Sequence, residues 1–93
     1  MVKIRVIQLI LRSRKEGESL KIFVKLFASL RDNREKEQYM DFKEGMTPKD
    51  VIENLGIPVG DVAIIMINGR RVELDTVILE DDTVALFPPV GGG

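Results

Sequence analysis

Thr47-Pro48-Lys49-Asp50-Val51-Ile52-Glu53-Asn54-Leu55-Gly56-Ile57-Pro58 carries the start and stop signals of a short helix. Thr47 suits the N-cap, Pro48 the first helical position, and Asp50 falls where a capping-box acid belongs. Val51, Ile52 and Leu55 supply the buried stripe. Gly56 suits the C′ position and Pro58 prevents continuation, which limits the helix to about two to three turns. The apolar runs on either side have strand character, so the fold turns on how one helix covers them.

Upstream, Gln38 to Lys43 alternates as a strand, with Tyr39, Asp41 and Lys43 opposite Met40 and Phe42, before the turn Glu44-Gly45. Leu20 to Phe27 is another, with Ile22, Val24 and Leu26 on one face and Phe23, Lys25 and Phe27 on the other. Ala28 to Asp32 reads as one helical turn leading into the polar loop Asn33 to Glu37. Downstream, Val62 to Ile67 is apolar on both faces, and Asn68-Gly69 is a hairpin turn because both positions tolerate positive φ. Arg70 to Leu74 returns, Asp81-Asp82 turns, and Thr83 to Phe87 is the final strand. Residues 2 to 11 alternate at first (Val2, Ile4, Val6 against Lys3, Arg5) and then become continuously apolar, as an extra N-terminal strand would; Ser13 to Ser19 is a charged turn. After that extra strand the order is β-β-α-β-β-β. The expectation is an α+β design, one main helix across one face of a mixed sheet.

Ninety-three residues make one domain. Hydrophobic residues at 44% and charged residues at 31% give a globular balance, not a disordered one. A net charge of −1 offers no electrostatic reason to expect nucleic acid or an anionic membrane as a partner. The chain has neither cysteine nor histidine, which excludes disulfides and argues against a structural zinc site and the usual nucleophile–histidine arrangements. No catalytic or metal-ligating residue is therefore assigned. The N-terminal apolar run is broken by Lys3, Arg5 and Gln8 and is too short to span a bilayer, so the protein is expected to be cytoplasmic.

Three parts follow: an extension (1–19), a globular domain (20–87) and a tail (88–93), Pro88-Pro89-Val90-Gly91-Gly92-Gly93. Proline lacks a backbone donor, so the pair stops the sheet ladder and launches the chain outward. Extended, the tail reaches roughly 17 Å at about 3.3 Å per residue. Glycine has no Cβ and can thread a tunnel too narrow for any other residue. Such a tail is suited to chemical modification inside another protein.

From about Lys21 to Gly93 the chain resembles the MoaD/ThiS family of β-grasp sulfur carriers, most closely its molybdopterin synthase small-subunit branch. The likeness rests on Lys25-Leu26-Phe27-Ala28-Ser29-Leu30-Arg31-Asp32, on Asn68-Gly69 with Asp75-Thr76 and Leu79-Glu80-Asp81-Asp82, and on Phe87-Pro88-Pro89-Val90 before the glycines. That branch usually has a small non-glycine residue where this chain has Gly91, a triple glycine similar to the thiamine-pathway carriers. The first twenty residues have no counterpart in the usual carrier.

The resemblance implies a ubiquitin-like β-grasp fold and a protein that is not itself an enzyme and binds no cofactor. It implies that a ubiquitin-activating-type enzyme uses ATP to adenylate Gly93, that sulfur then makes a thiocarboxylate there, and that Pro88, Pro89, Val90, Gly91 and Gly92 thread the tail into partners. The expected recipient is the molybdopterin synthase large subunit, for molybdenum cofactor synthesis. The alternatives are a thiamine-pathway carrier and a ubiquitin-like modifier conjugated through Gly93. If Ile22, Val24 and Leu26 face the helix, Phe27 lies on the open sheet face, and with Phe87 it is the expected partner-binding centre. Residues 2–11 are expected to cover an outer edge or to form a homodimer.

Overall fold

The computed structural model describes residues 20–90. The extra strand expected over residues 2–11 and the terminal Gly91, Gly92 and Gly93 lie outside them. Five strands, β1 (Lys21–Leu26), β2 (Glu37–Asp41), β3 (Ile64–Ile67), β4 (Arg70–Val72) and β5 (Thr83–Phe87), and one α-helix, α1 (Pro48–Asn54), form the domain. The sheet order is β2-β1-β5-β3-β4. β1 and β5 run parallel and the other neighbours antiparallel, so the sheet is mixed and its middle strand is the last in the chain.

The helix begins and ends as its sequence dictates. Thr47 Oγ1 accepts the Asp50 N–H at 3.4 Å while Asp50 Oδ2 accepts the Thr47 N–H at 2.9 Å, a reciprocal capping box. At the far end the Gly56 N–H donates to Glu53 O and the Ile57 N–H to Ile52 O, the Schellman pair, with Gly56 at φ +73°. The hairpin between β3 and β4 turns on Asn68 (φ +51°) and Gly69 (φ +85°), the two positive φ values of a type I′ turn.

Alternation assigns the faces. Ile22, Val24 and Leu26 of β1, Val84 and Leu86 of β5, and Ile65 and Ile67 of β3 meet Val51, Ile52 and Ile57 from α1 and the turn behind it. Leu30, Met46 and Ile78 complete the core from the loops. Burying each large aliphatic side chain contributes about 1.5–3 kcal/mol, so one helix suffices to cover one face.

Several strands are shorter than the apolar runs that encode them. Phe27, expected to end the Leu20–Phe27 strand, becomes the N-cap of a 3₁₀ turn, Ala28–Arg31, although its N–H still donates to Leu86 O. Val62 to Ile67 yields only Ile64–Ile67 as β3, because Val59–Asp61 is a 3₁₀ turn and the Val62 N–H donates to Val59 O. β4 stops at Val72 where Thr76 Oγ1 takes the Glu73 N–H and Leu74 O accepts from the Lys49 N–H. The strand expected over Gln38–Lys43 is Glu37–Asp41. Among the described residues no helix is long and apolar enough to cross a membrane.

Candidate functional site

The face of the sheet away from α1 is uncovered by any described element, and it collects the side chains that alternation turns outward. Phe23, Lys25 and Phe27 follow β1, Ala85 and Phe87 come from β5, Ile64 and Met66 from β3. The parallel register sets Lys25 beside Ala85, and the antiparallel one sets Met66 beside Ala85 and Ile64 beside Phe87. These apolar groups are half-buried against one another, not sunk in the core.

Phe27 and Phe87 meet at the end of the central strands. Their rings stack with centroids 4.4 Å apart and planes 11° from parallel. The Arg31 guanidinium lies 5.4 Å from the centre of the Phe27 ring, held there by its Nε donating to Leu26 O at 2.9 Å. A cation over an aromatic face is attracted by the ring quadrupole, about 0.5–1 kcal/mol at an exposed site. At the other end of the face Phe23 and Tyr39 pack edge-tilted, 5.0 Å apart at 54°. Arg71, opposite Met66 on the outer strand, adds another cation at the rim.

The tail leaves directly beyond the aromatic stack. Phe87 O accepts the Ala63 N–H at 2.8 Å, the last sheet bond. Pro88, which has no N–H to continue the ladder, is half-buried; Pro89 is exposed and Val90 is 85% exposed. Pro88 and Pro89 also line a shallow open groove with Leu30, Arg34 and Leu55. The structure thus brings Phe27 and Phe87 together and sets the root of the tail beside them. Gly91, Gly92 and Gly93 lie outside the described residues.

Ile64 and Met66, from the run Val62 to Ile67 whose second face the sequence assigns to the same patch, belong to this surface together with Arg31. For Ile64 and Met66 the signal is present, since a run apolar on both faces can bury only one against a single helix. Arg31 gives none, because its place over Phe27 depends on the 3₁₀ turn.

A mixed five-stranded sheet crossed by one helix, with an exposed root after its middle strand, defines the class of ubiquitin-like β-grasp proteins. The ThiS family model matches residues 24–93, and the chain belongs to that family. Its members are small non-catalytic proteins, sulfur carriers or ubiquitin-like modifiers, that act with partner subunits.

Among solved structures, the chain is similar to a Pyrococcus furiosus protein described as molybdopterin converting factor, subunit 1 (29% identity over 77% of this chain and 100% of that one, TM-score 0.61). It is also similar to the small archaeal modifier protein 1 of Methanosarcina acetivorans (25% identity over 83% of this chain and 100% of that one, TM-score 0.61). A chain of the complex between subunits 1 and 2 of the molybdopterin-converting factor of Helicobacter pylori shares the fold at 21% identity (80% of this chain, 100% of that one, TM-score 0.57). No curated protein matches the chain.

Proposed function

We propose that this chain is a sulfur carrier for molybdopterin synthesis, with the carboxylate of Gly93 as the reacting group. A carboxylate is a poor electrophile. A ubiquitin-activating-type enzyme solves this with ATP: the Gly93 carboxylate attacks the α-phosphate, pyrophosphate leaves, and an acyl-adenylate forms. A sulfur nucleophile then attacks the acyl carbon and displaces AMP, leaving a thiocarboxylate. ATP belongs to the enzyme's site, and the carrier supplies the reacting atom and its delivery.

The observation that carries this reading is the family match running through Gly93, joined to a tail root that leaves the middle of the sheet exposed at Val90. The likeness to the Pyrococcus furiosus protein favours the molybdopterin branch. The complex of subunits 1 and 2 in Helicobacter pylori is in keeping with a second subunit as partner, and in this reading that subunit receives the charged tail. Pro88, Pro89, Val90, Gly91 and Gly92 thread it there.

Threading alone is a weak way to bind. Ordering Gly91, Gly92 and Gly93 costs about 3–6 kcal/mol at roughly 1–2 per residue. The body must dock as well, and the open face around Phe27 and Phe87 is its docking surface: an aromatic centre with Arg31 over it, Lys25 on the face beside it and Arg71 at the rim. This is the usual layout of an interface, where a buried aromatic anchor dominates and charges ring it.

A second reading, a modifier joined to lysines of other proteins, is favoured by the likeness to the archaeal modifier protein. Both begin from the same acyl-adenylate and part at the nucleophile. Intact-protein mass spectrometry after incubation with an active cognate activating enzyme, ATP and a sulfur source separates them. The carrier gains the mass of one oxygen replaced by sulfur, and a variant lacking Gly92-Gly93 does not. A ladder of conjugates without that gain establishes the modifier instead.

A further inference from the structure

The loop between β4 and β5 carries an apolar strip that neither the core nor the tail uses. Along Thr76 to Leu79 the side chains alternate. Ile78 is fully buried, with its N–H donating to Met46 O at 2.8 Å, whereas Val77 and Leu79 stand 58% and 56% exposed on the other side. Leu74, in the turn that opens the loop, is 36% exposed as well. The same loop is charged with one sign: Glu73, Asp75, Glu80, Asp81 and Asp82, with no Lys or Arg among them.

Its position is the second observation. The Asp81 N–H donates to Lys21 O and the Phe23 N–H donates to Asp82 O, both at 2.9 Å, so the loop sits against the start of β1. Residues 1–19 join the domain at that point. Because β1 and β5 are parallel, the tail leaves from the opposite end of the sheet.

The composition of the N-terminal segment complements the strip. Val2, Ile4 and Val6 alternate with Lys3 and Arg5, and Ile7, Leu9, Ile10 and Leu11 follow. Residues 1–19 hold five basic and two acidic side chains, a net +3; the whole chain is −1, so the remainder is −4. The connection from Leu11 to Leu20 spans up to roughly 30 Å at about 3.3 Å per residue, ample to bring residues 2–11 back over the loop. The outer edge at β2 is a poorer seat, since its exposed positions are Glu37, Tyr39 and Asp41.

We propose that residues 2–11 of the same chain lie across Leu74, Val77 and Leu79, with their basic residues facing the acids of the loop. This seat keeps an apolar, strand-like segment away from other molecules, where it would invite edge-to-edge pairing. It also leaves the Phe27–Phe87 surface and the tail free for partners, so the extension and the carrier function coexist.

The absence of native cysteine makes the test direct. A nitroxide on a Gln8→Cys variant of the full chain, isotope-labelled for NMR, is expected to quench the amides of Leu74 to Asp81 and to spare those of Ser29 to Asn33 near the tail. Val77→Ser with Leu79→Ser should restore the quenched signals while the shifts of Ile22 to Leu26 stay unchanged, which shows an intact fold. Asp75→Asn, which removes the charge and nearly keeps the shape, should weaken the quenching, as should added salt. Quenching elsewhere, or none, overturns the proposal. So does the same quenching in labelled protein without nitroxide mixed with unlabelled nitroxide protein, which places a second copy's segment on the strip.

Discussion

The rings of Phe27 and Phe87 stack 4.4 Å apart across the parallel pair β1 and β5, one at the exit of the first strand and the other at the exit of the last. Phe27 is also the N-cap of the 3₁₀ turn that places Arg31 over its ring. The two stacked rings and the arginine over one of them therefore form a single cluster, and one of the rings belongs to the residue preceding Pro88. The proposed docking centre and the root of the tail are one piece of structure, and a partner that grips the stack fixes where the tail starts.

Phe27→Ala and Phe87→Ala should each weaken binding of the larger partner by about 2 kcal/mol, roughly 30-fold in Kd. The double variant should lose less than the sum, because either single change already breaks the stack. Phe23→Ala, at the far end of the same face, should change affinity little. Titration calorimetry on the four variants against the unchanged protein decides it: equal losses for Phe23 and Phe27 would mean that the whole face, and not the stack, is the anchor.

Much of this was legible in the chain because local chemistry matched the global fold. Thr47, Pro48, Asp50 and Gly56 spell a helix without reference to anything distant, and Asn68-Gly69 does the same for a hairpin. Alternation in Ile22 to Phe27 assigned the faces correctly. What escaped depends on long-range registers. Ile78 is fully buried, yet its neighbours Val77 and Leu79 are exposed and no periodic run surrounds it; it is buried because the loop, held by the bond to Met46 O, sets its side chain into the core. The stack of Phe27 on Phe87 likewise requires the parallel pairing of β1 with β5, which no local pattern announces.

The two helix ends make separate, additive contributions. Thr47→Ala removes one half of the capping box and should cost about 1 kcal/mol. Gly56→Ala puts a Cβ on a backbone at φ +73° where no neighbouring atom lies within 4 Å, so its cost of about 1–2 kcal/mol is backbone strain alone. Each should lower Tm by about 4–8 °C per kcal/mol in a domain of this size, and the double variant by the sum. Thermal unfolding followed by circular dichroism measures all three. A tolerated Gly56→Ala would show that the αL position is not what ends the helix.

Asp41 should contribute an acid-sensitive part of the stability. The Lys21 ammonium hydrogen-bonds its carboxylate at 2.5 Å across β1 and β2, and with Lys43 it holds the Asp41 pKa below that of an ordinary aspartate. A pKa depressed in the folded state means that the stabilisation is present above the unfolded value and is lost as pH falls through the folded one. Lys21→Met should raise the Asp41 midpoint in an NMR titration toward the ordinary value. The stability gap between the two proteins should close as pH drops through the lowered midpoint. Both residues are exposed, so salt should shrink the gap.

The triple glycine separates two demands on the tail, reach and slenderness. Pro88 is half-buried against the domain and its φ is fixed, so the distance from there to the Gly93 carbonyl is set by residue count. Deleting Gly91 keeps Gly92-Gly93 but shortens the reach by about 3.3 Å, a displacement of the kind that costs orders of magnitude when a reacting atom must be placed to within an ångström. Gly91→Ala keeps the reach and adds only a methyl group, a side chain of the size that the molybdopterin branch usually carries at this point. Thiocarboxylation should therefore collapse in the deletion and persist in Gly91→Ala, followed by mass spectrometry over time with the activating enzyme in fixed amount. Equal loss in both would instead assign Gly91 to the narrow part of the enzyme's tunnel, where no Cβ is admitted.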